Sequence, residues 1–107
     1  MILVDGIARH VTPLRHKSWS HMVSTVNAAE LHEMAERIGL KYSWFQTGSF
    51  DHYDITPPKR ALAIQLGAIA TNSRCLLFGN YDYKIRRPGA FIAQMYRDEL
   101  AAIGVVL

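Results

Sequence analysis

DHYDITPPKRALAIQLGAIAT, residues 51–71, is a strand, a helix and a strand in succession. DHYDI alternates polar and apolar side chains and stops at a Pro-Pro pair, as a strand does. Thr56 stands in the N-cap position with Pro57 in the favoured first helical position. KRALAIQL is the body of that helix, Gly67 closes it, and Ala68–Thr71 predicts a further strand. Strands separated by helices predict an α/β domain: a short, mostly parallel sheet flanked by helices with right-handed crossovers.

Working toward the N-terminus, Asn27 caps a helix and Glu30 follows three residues later in a capping-box relation. Leu31, Met34, Ala35 and Ile38 then repeat at the spacing of one buried stripe, and Gly39 ends the helix. Tyr42–Gln46 predicts a short strand or an aromatic turn, Trp19–Ser24 a strand, and Ile2–Asp5 a short buried strand. Between those two strands, Gly6–Ser18 reads as a long, basic loop. Working toward the C-terminus, Asn72 or Ser73 caps a short helix through Cys75, Leu76 and Leu77. Gly79–Pro88 reads as a polar, aromatic loop. Pro88 opens a last helix carrying Phe91, Ile92, Met95, Leu100 and Ile103, with Gly104 as its stop. All 107 residues read as a single domain.

The bulk numbers exclude several classes of function. No apolar run reaches the roughly 20 residues of a membrane span, and the apolar start lacks the basic residues that precede a secretory signal. One cysteine, Cys75, rules out an internal disulfide and a cysteine zinc framework; it reads as an inert thiol of a cytoplasmic protein. Neither a dinucleotide-binding glycine motif nor a P-loop is present, and Ser20 is not on a nucleophile elbow. Net charge is +3 with a pI near 9.2, a mild bias toward anionic partners.

The chemistry concentrates around DHYDI. On an extended strand Asp51, Tyr53 and Ile55 share one face, and His52 and Asp54 share the other, about 7 Å apart along the backbone. With Tyr53 and Ile55 in the core, His52 and Asp54 become an acid–base pair or two ligands of one ion. Asp5, directly after an apolar strand, belongs at the carboxyl end of the sheet, where open α/β sheets place ligands. Asp5, His52 and Asp54 are therefore candidate ligands for Mg or Mn. His21, on a strand, is a further candidate, whereas His32 with Glu36 one turn away reads as a surface pair. Pro57 and Pro58 remove two backbone donors from the helix start, so an anion there would rely on Lys59 and Arg60 side chains. Arg74 adds charge at the next helix start. In 79–89, Tyr81 and Tyr83 interleave with Lys84, Arg86 and Arg87, a pattern suited to nucleic-acid contact.

The ordered run VD, SHMV, ELHEMAERIGL, WFQ, DHYDI, KRALAIQLGAI and TNSR resembles the small bacterial and phage family catalogued as domain of unknown function 4031. The resemblance covers Ile2–Leu77, leaving 78–107 as a C-terminal extension. It implies a compact intracellular domain, often phage-borne, with no established activity. It also implies that Asp5, His21, Asp51, His52, Tyr53, Asp54, Lys59 and Arg60 match the characteristic polar positions of the family. Two features depart from the family form: the longer, more basic Gly6–Ser18 segment and the added tail.

Three readings follow. In the first, Asp5, His21, Lys59, Arg60 and Arg74 bind an anionic, phosphate-bearing ligand, either nucleic acid or a nucleotide. In the second, His52 and Asp54 are catalytic in a metal-dependent phosphoesterase or nuclease. In the third, the protein is a phage-type interaction module acting on a host protein through an aromatic patch such as Trp44, Phe45 and Tyr81. Self-association through the last helix is compatible with each.

Overall fold

A computed structural model describes residues 1–11, 16–82 and 90–105. Along the chain come β1 (Ile2–Val4), β2 (Ala8–Val11), β3 (His16–Ser24), α1 (Ala28–Arg37) and a 3-10 turn (Tyr42–Trp44). They are followed by β4 (Tyr53–Ile55), α2 (Pro57–Gln65), β5 (Ile69–Ala70), α3 (Ser73–Gly79) and α4 (Ala90–Ala102). The fold is α/β, a mixed sheet with four helices among the described residues, one of them C-terminal. No described helix is long and apolar enough to cross a membrane.

The sheet is mostly antiparallel, which corrects the expectation of a mostly parallel one. β3 is its spine: Met22 pairs with Val4 on one side and with Tyr53 on the other, and both partner strands run antiparallel to it. β2 is also antiparallel to β3, and among the described residues only β1 and β5 run parallel. The physical reason lies in the segment expected to be a loop. Ala8–Val11 pairs with His16–Trp19, so β1, β2 and β3 form one long hairpin. Its tip, 12–15, lies outside the described residues. Backbone ladder bonds hold this hairpin, and a segment rich in charge and lacking clean alternation gives them no local signature. The antiparallel hairpin then separates β4 from β5, so the strand–helix–strand unit of 51–71 does not pair with itself.

Among the described residues the ladder on β3 is irregular beside His21. Between the pairs Val4–Met22 and Ala8–Trp19, three residues (Asp5, Gly6, Ile7) face two (Ser20, His21). This is a β-bulge, a device that re-aims side chains and recurs beside active sites.

Each sheet face carries its own core. Ile2, Val4, Met22, Tyr53 and Ile55 pack with Leu31, Met34, Ala35, Ile38 and Ala63 of α1 and α2. Leu3 and Val23 pack on the other face with Cys75 and Leu76 of α3 and with Leu100 and Val105. Burying each large apolar side chain stabilises the fold by about 1.5–3 kcal/mol. Gly79 lets α3 approach: a Cβ there would meet Leu3 Cδ1 at 3.2 Å and Leu100 Cδ1 at 3.4 Å. Met95, expected on the apolar stripe of the last helix, is instead exposed.

The helix ends largely follow their signals. Asn27 Oδ1 accepts from Glu30 N at 2.8 Å, and Gly39 leaves α1 with φ +81°. The Glu30 side chain does not complete a capping box; it reaches the N-terminal amine and Ser24 Oγ, both at 2.7 Å. Thr56 precedes α2 as expected, but its side chain makes no capping bond. Of the aromatic and basic run expected in 79–89, residues 83–89 lie outside the described residues, including Tyr83, Lys84, Arg86 and Arg87.

Candidate metal centre

Strand register brings the reactive groups together. His21 on β3 stands directly opposite Asp54 on β4, and cross-strand partners on one face carry side chains within contact distance. His52, two residues before Asp54, shares that face; its backbone is fixed by paired bonds to Gln46, 2.9 and 3.0 Å long. His52 Nε2 lies 3.3 Å from Asp54 Oδ1, and His21 Nε2 lies 3.9 Å from the same oxygen. One ligand atom from each of His21, His52 and Asp54 falls within 4.8 Å of the others, a group able to hold a metal ion. The three residues are half-buried and line a hollow of about 420 Å³ with Trp19 and Gln46.

The far side of each ligand is braced. His21 Nδ1 meets Asp5 Oδ2 at 2.7 Å, and His52 Nδ1 meets the Phe50 carbonyl at 2.9 Å. In a neutral ring, an Nδ1–H donor bonded to oxygen leaves Nε2 as the lone-pair nitrogen, and in both rings Nε2 is the atom facing Asp54. Metal-ligating histidines are held in this way in general. Gln46 Nε2 donates to Asp54 Oδ2 at 2.6 Å, which directs Oδ1 toward the imidazoles. The His52 ring also stacks on Phe50, with centroids 4.3 Å apart.

Asp5 is the most heavily engaged group. It is buried, and at the bulge its carboxylate replaces a ladder carbonyl: Oδ1 accepts the His21 backbone N–H at 2.6 Å. Oδ2 accepts from His21 Nδ1 and from Ser73 Oγ at 2.9 Å. Arg60 Nε donates to the Asp5 carbonyl at 2.8 Å. Burial pushes the Asp5 carboxyl up, but these hydrogen bonds and the nearby imidazole outweigh it and hold the pKa below the ordinary value. The Asp5 hydrogen bond raises the His21 pKa; burial opposes it, and the charges of Asp5 and Asp54 add to the rise.

The expected site residues therefore separate into three groups. His52 and Asp54 meet at the centre, and His21 joins them. Asp5 stands behind His21 as its hydrogen-bond acceptor, outside the group of mutually close ligand atoms. The basic residues stand outside the group of mutually close ligand atoms. Lys59 Nζ donates to the Ile38 carbonyl at 2.6 Å at the end of α1, and Arg60 holds Asp5. Arg74 is exposed beside a different hollow lined by Asn72, Met95, Tyr96 and Glu99. Nothing in the sequence marks Gln46, Ser73 or Phe50 as a site residue. Only tertiary structure joins them to the site, although Gln46 lies close enough in sequence to suggest a hairpin partner for DHYDI. His32, read as a surface pair with Glu36, instead meets Tyr53 Oη at 2.9 Å and packs on Phe45.

Residues 2–79 match the family described as protein of unknown function (DUF4031). The chain belongs to this family. The matched span contains every residue of the centre and ends with α3, leaving α4 beyond it. No curated protein and no solved structure matches the chain. The DUF4031 chain is nevertheless continuous across that limit. Past it, Asn80 Nδ2 donates to the Asp51 carbonyl at 3.1 Å, and the Tyr81 hydroxyl donates to the Asp51 carboxylate. Both bonds fix the strand just before His52.

Proposed function

We propose that the protein is a divalent-metal-dependent phosphoesterase whose ligand is an anionic phosphate ester. The observation that carries this reading is the convergence of two Nε2 atoms and one carboxylate oxygen, each braced from behind, in a solvent-open hollow. Three protein donors with open positions is the pattern of catalytic rather than structural metal sites. Two imidazoles suit Mn, Zn or Fe(II) better than Mg, which prefers oxygen donors, so Mn is the stronger of the two metals expected from the sequence.

Electrostatics support the same reading. The hydrogen bond and charges that raise the His21 pKa create a negative field at the hollow, and this field stabilises a metal cation as it does a proton. A bound ion would polarise a phosphoryl oxygen and lower the pKa of a coordinated water. The chain's own part is positional: Asp5 and the Phe50 carbonyl orient the rings, and Gln46 turns Asp54. With an ion on Nε2 and the Phe50 carbonyl on Nδ1, His52 would act as ligand rather than as proton carrier. A bound ion would meet substrate charge, while Lys59 Nζ and Arg60 Nε donate to the Ile38 and Asp5 carbonyls.

The test is calorimetric titration of chelator-treated protein with Mn²⁺ and Zn²⁺, followed by turnover of bis(p-nitrophenyl) phosphate. The wild type should bind one ion per chain and cleave the ester only when loaded. His21→Ala, His52→Ala and Asp54→Ala should each weaken metal binding by at least about a hundredfold and abolish turnover. A folded wild type that takes up neither ion rules the reading out.

A further inference from the structure

Beside the metal hollow lies a second one of about 490 Å³, and the two share Trp19, Gln46 and Asp54 as a common wall. It opens where the β3–β4 ladder ends. Ser20–Ile55 is the last pair, Trp19 is the next residue along β3, and Thr56 leads out of β4 into α2. Leu40, Ser43 and Trp44, from α1's exit and the 3-10 turn, form the opposite rim. We infer that this hollow seats the base of a nucleoside phosphate whose phosphate group lies at the His21–His52–Asp54 centre. The inference rests on the proposed metal-dependent reading and adds the class of substrate.

Three observations carry it. The first is position: the hollows share Trp19, Gln46 and Asp54, so a molecule spanning both places one end at the His21–His52–Asp54 centre and the other beside Trp44. The second is wall chemistry. Trp19, Leu40 and Trp44 provide apolar and aromatic surface, while Ser43, Gln46, Thr56 and Lys59 place two hydroxyls, an amide and an ammonium at its margin. A planar ring with an apolar face and a hydrogen-bonding edge matches both sets. A hydrocarbon group would fill the space but offer nothing to the two hydroxyls at its margin. The third is the state of Trp44. An apolar indole on a small domain is costly to expose, yet Trp44 is 48% exposed, and the Lys41 ammonium lies over its ring at 5.6 Å from the centroid. The indole is thus open to solvent, with a cation over its ring. Stacking on such a ring tolerates any base, because every base has a π-face.

The test uses Mn²⁺-loaded protein titrated calorimetrically with adenosine, guanosine, cytidine and uridine 5′-monophosphates, and with ribose 5-phosphate as the probe without a base. At least one nucleotide should bind about tenfold or more tightly than ribose 5-phosphate, the contribution of one stacked base. Trp44→Ala should erase that difference without changing Mn²⁺ affinity or ribose 5-phosphate binding, and Trp44→Phe should restore most of it. Equal binding of nucleotides and ribose 5-phosphate by metal-loaded wild type overturns the inference while the metal reading stands. A preference that survives Trp44→Ala overturns it equally. Failure to take up Mn²⁺ or Zn²⁺ is a different result: it defeats the metal reading, and the substrate assignment falls with it.

Discussion

Met22 and Val23 are neighbours on β3 and both are buried, yet they belong to opposite faces of the sheet and to different cores. On the Met22 face, the paired strands present Ile2, Val4, Tyr53 and Ile55 to α1 and α2, and the cover is complete. On the Val23 face, α3 and Leu100 cover Leu3 and Val23, and the next side chain along β3 on that face is His21. There the cover stops. The strands present His21, His52 and Asp54 to a hollow instead of to a helix. The same period of two thus builds a sealed core and an open site from alternate residues, and what separates them is only whether a helix lies above.

The strongest way to break this comparison is to truncate adjacent residues of β4 that face opposite ways. Ile55→Ala removes a fully buried side chain and should cost about 2–5 kcal/mol in urea unfolding. Asp54→Ala, one residue earlier on the open face, should change stability by no more than about 1 kcal/mol while removing metal binding. Equal destabilisation by the two variants would mean that the His–Asp face supports the fold as a core does, and the distinction between the faces would be lost.

A finer test addresses Asp5, which belongs to the open face by position and to the core by burial. Asp5→Asn should weaken metal affinity by about 10–100-fold, as loss of an outer partner to a ligating histidine does, while leaving ligand stoichiometry unchanged. Its effect on the metal-free protein should depend on pH. The groups facing His21 are Asp5, Asp54 and His52. The raised His21 pKa contributes stability that is fully present below the ordinary imidazole value and lost as pH rises through the folded one. The lowered Asp5 pKa contributes stability present above the ordinary carboxyl value and lost as pH falls through the folded one. The two overlap at about pH 5–6, so Asp5→Asn should destabilise most there and less toward pH 9. Urea titrations of chelator-treated wild type and variant across that range measure it; a pH-independent difference would remove the ion pair from the account.

How much of this was legible in the sequence follows from which interactions are local. Asn27, Gly39, Pro57 and the stripe from Leu31 to Ile38 act within one turn of their own helix, and each placed its element well. The alternation in DHYDI likewise put Tyr53 and Ile55 inside and His52 and Asp54 on the other face. Pairing between strands left no such trace. Nothing near Ala8 announces that it lies opposite Trp19, and so the sequence alone predicts a loop there and a mostly parallel sheet. The same gap hid the role of His21, because its meeting with Asp54 is a matter of register and its meeting with Asp5 depends on a bulge. Lys59 and Arg60 were legible as charges, but what they hold, the Ile38 and Asp5 carbonyls, was not.

The smallest effect comes from the sealed face and sharpens the contrast from the other side. Ser20 stands opposite Ile55, is buried, and its hydroxyl has no hydrogen-bond partner. If that face behaves only as a core, a polar atom there costs its own desolvation and contributes nothing. Ser20→Ala should then be neutral or stabilising by about 1 kcal/mol, with metal affinity unchanged. If instead Ser20→Ala loosens metal binding, a polar group on the covered face reaches the centre through β3, and the two faces are coupled rather than divided. Parallel urea and Mn²⁺ titrations of this one variant separate the two outcomes, because the first predicts a change only in unfolding and the second a change in affinity.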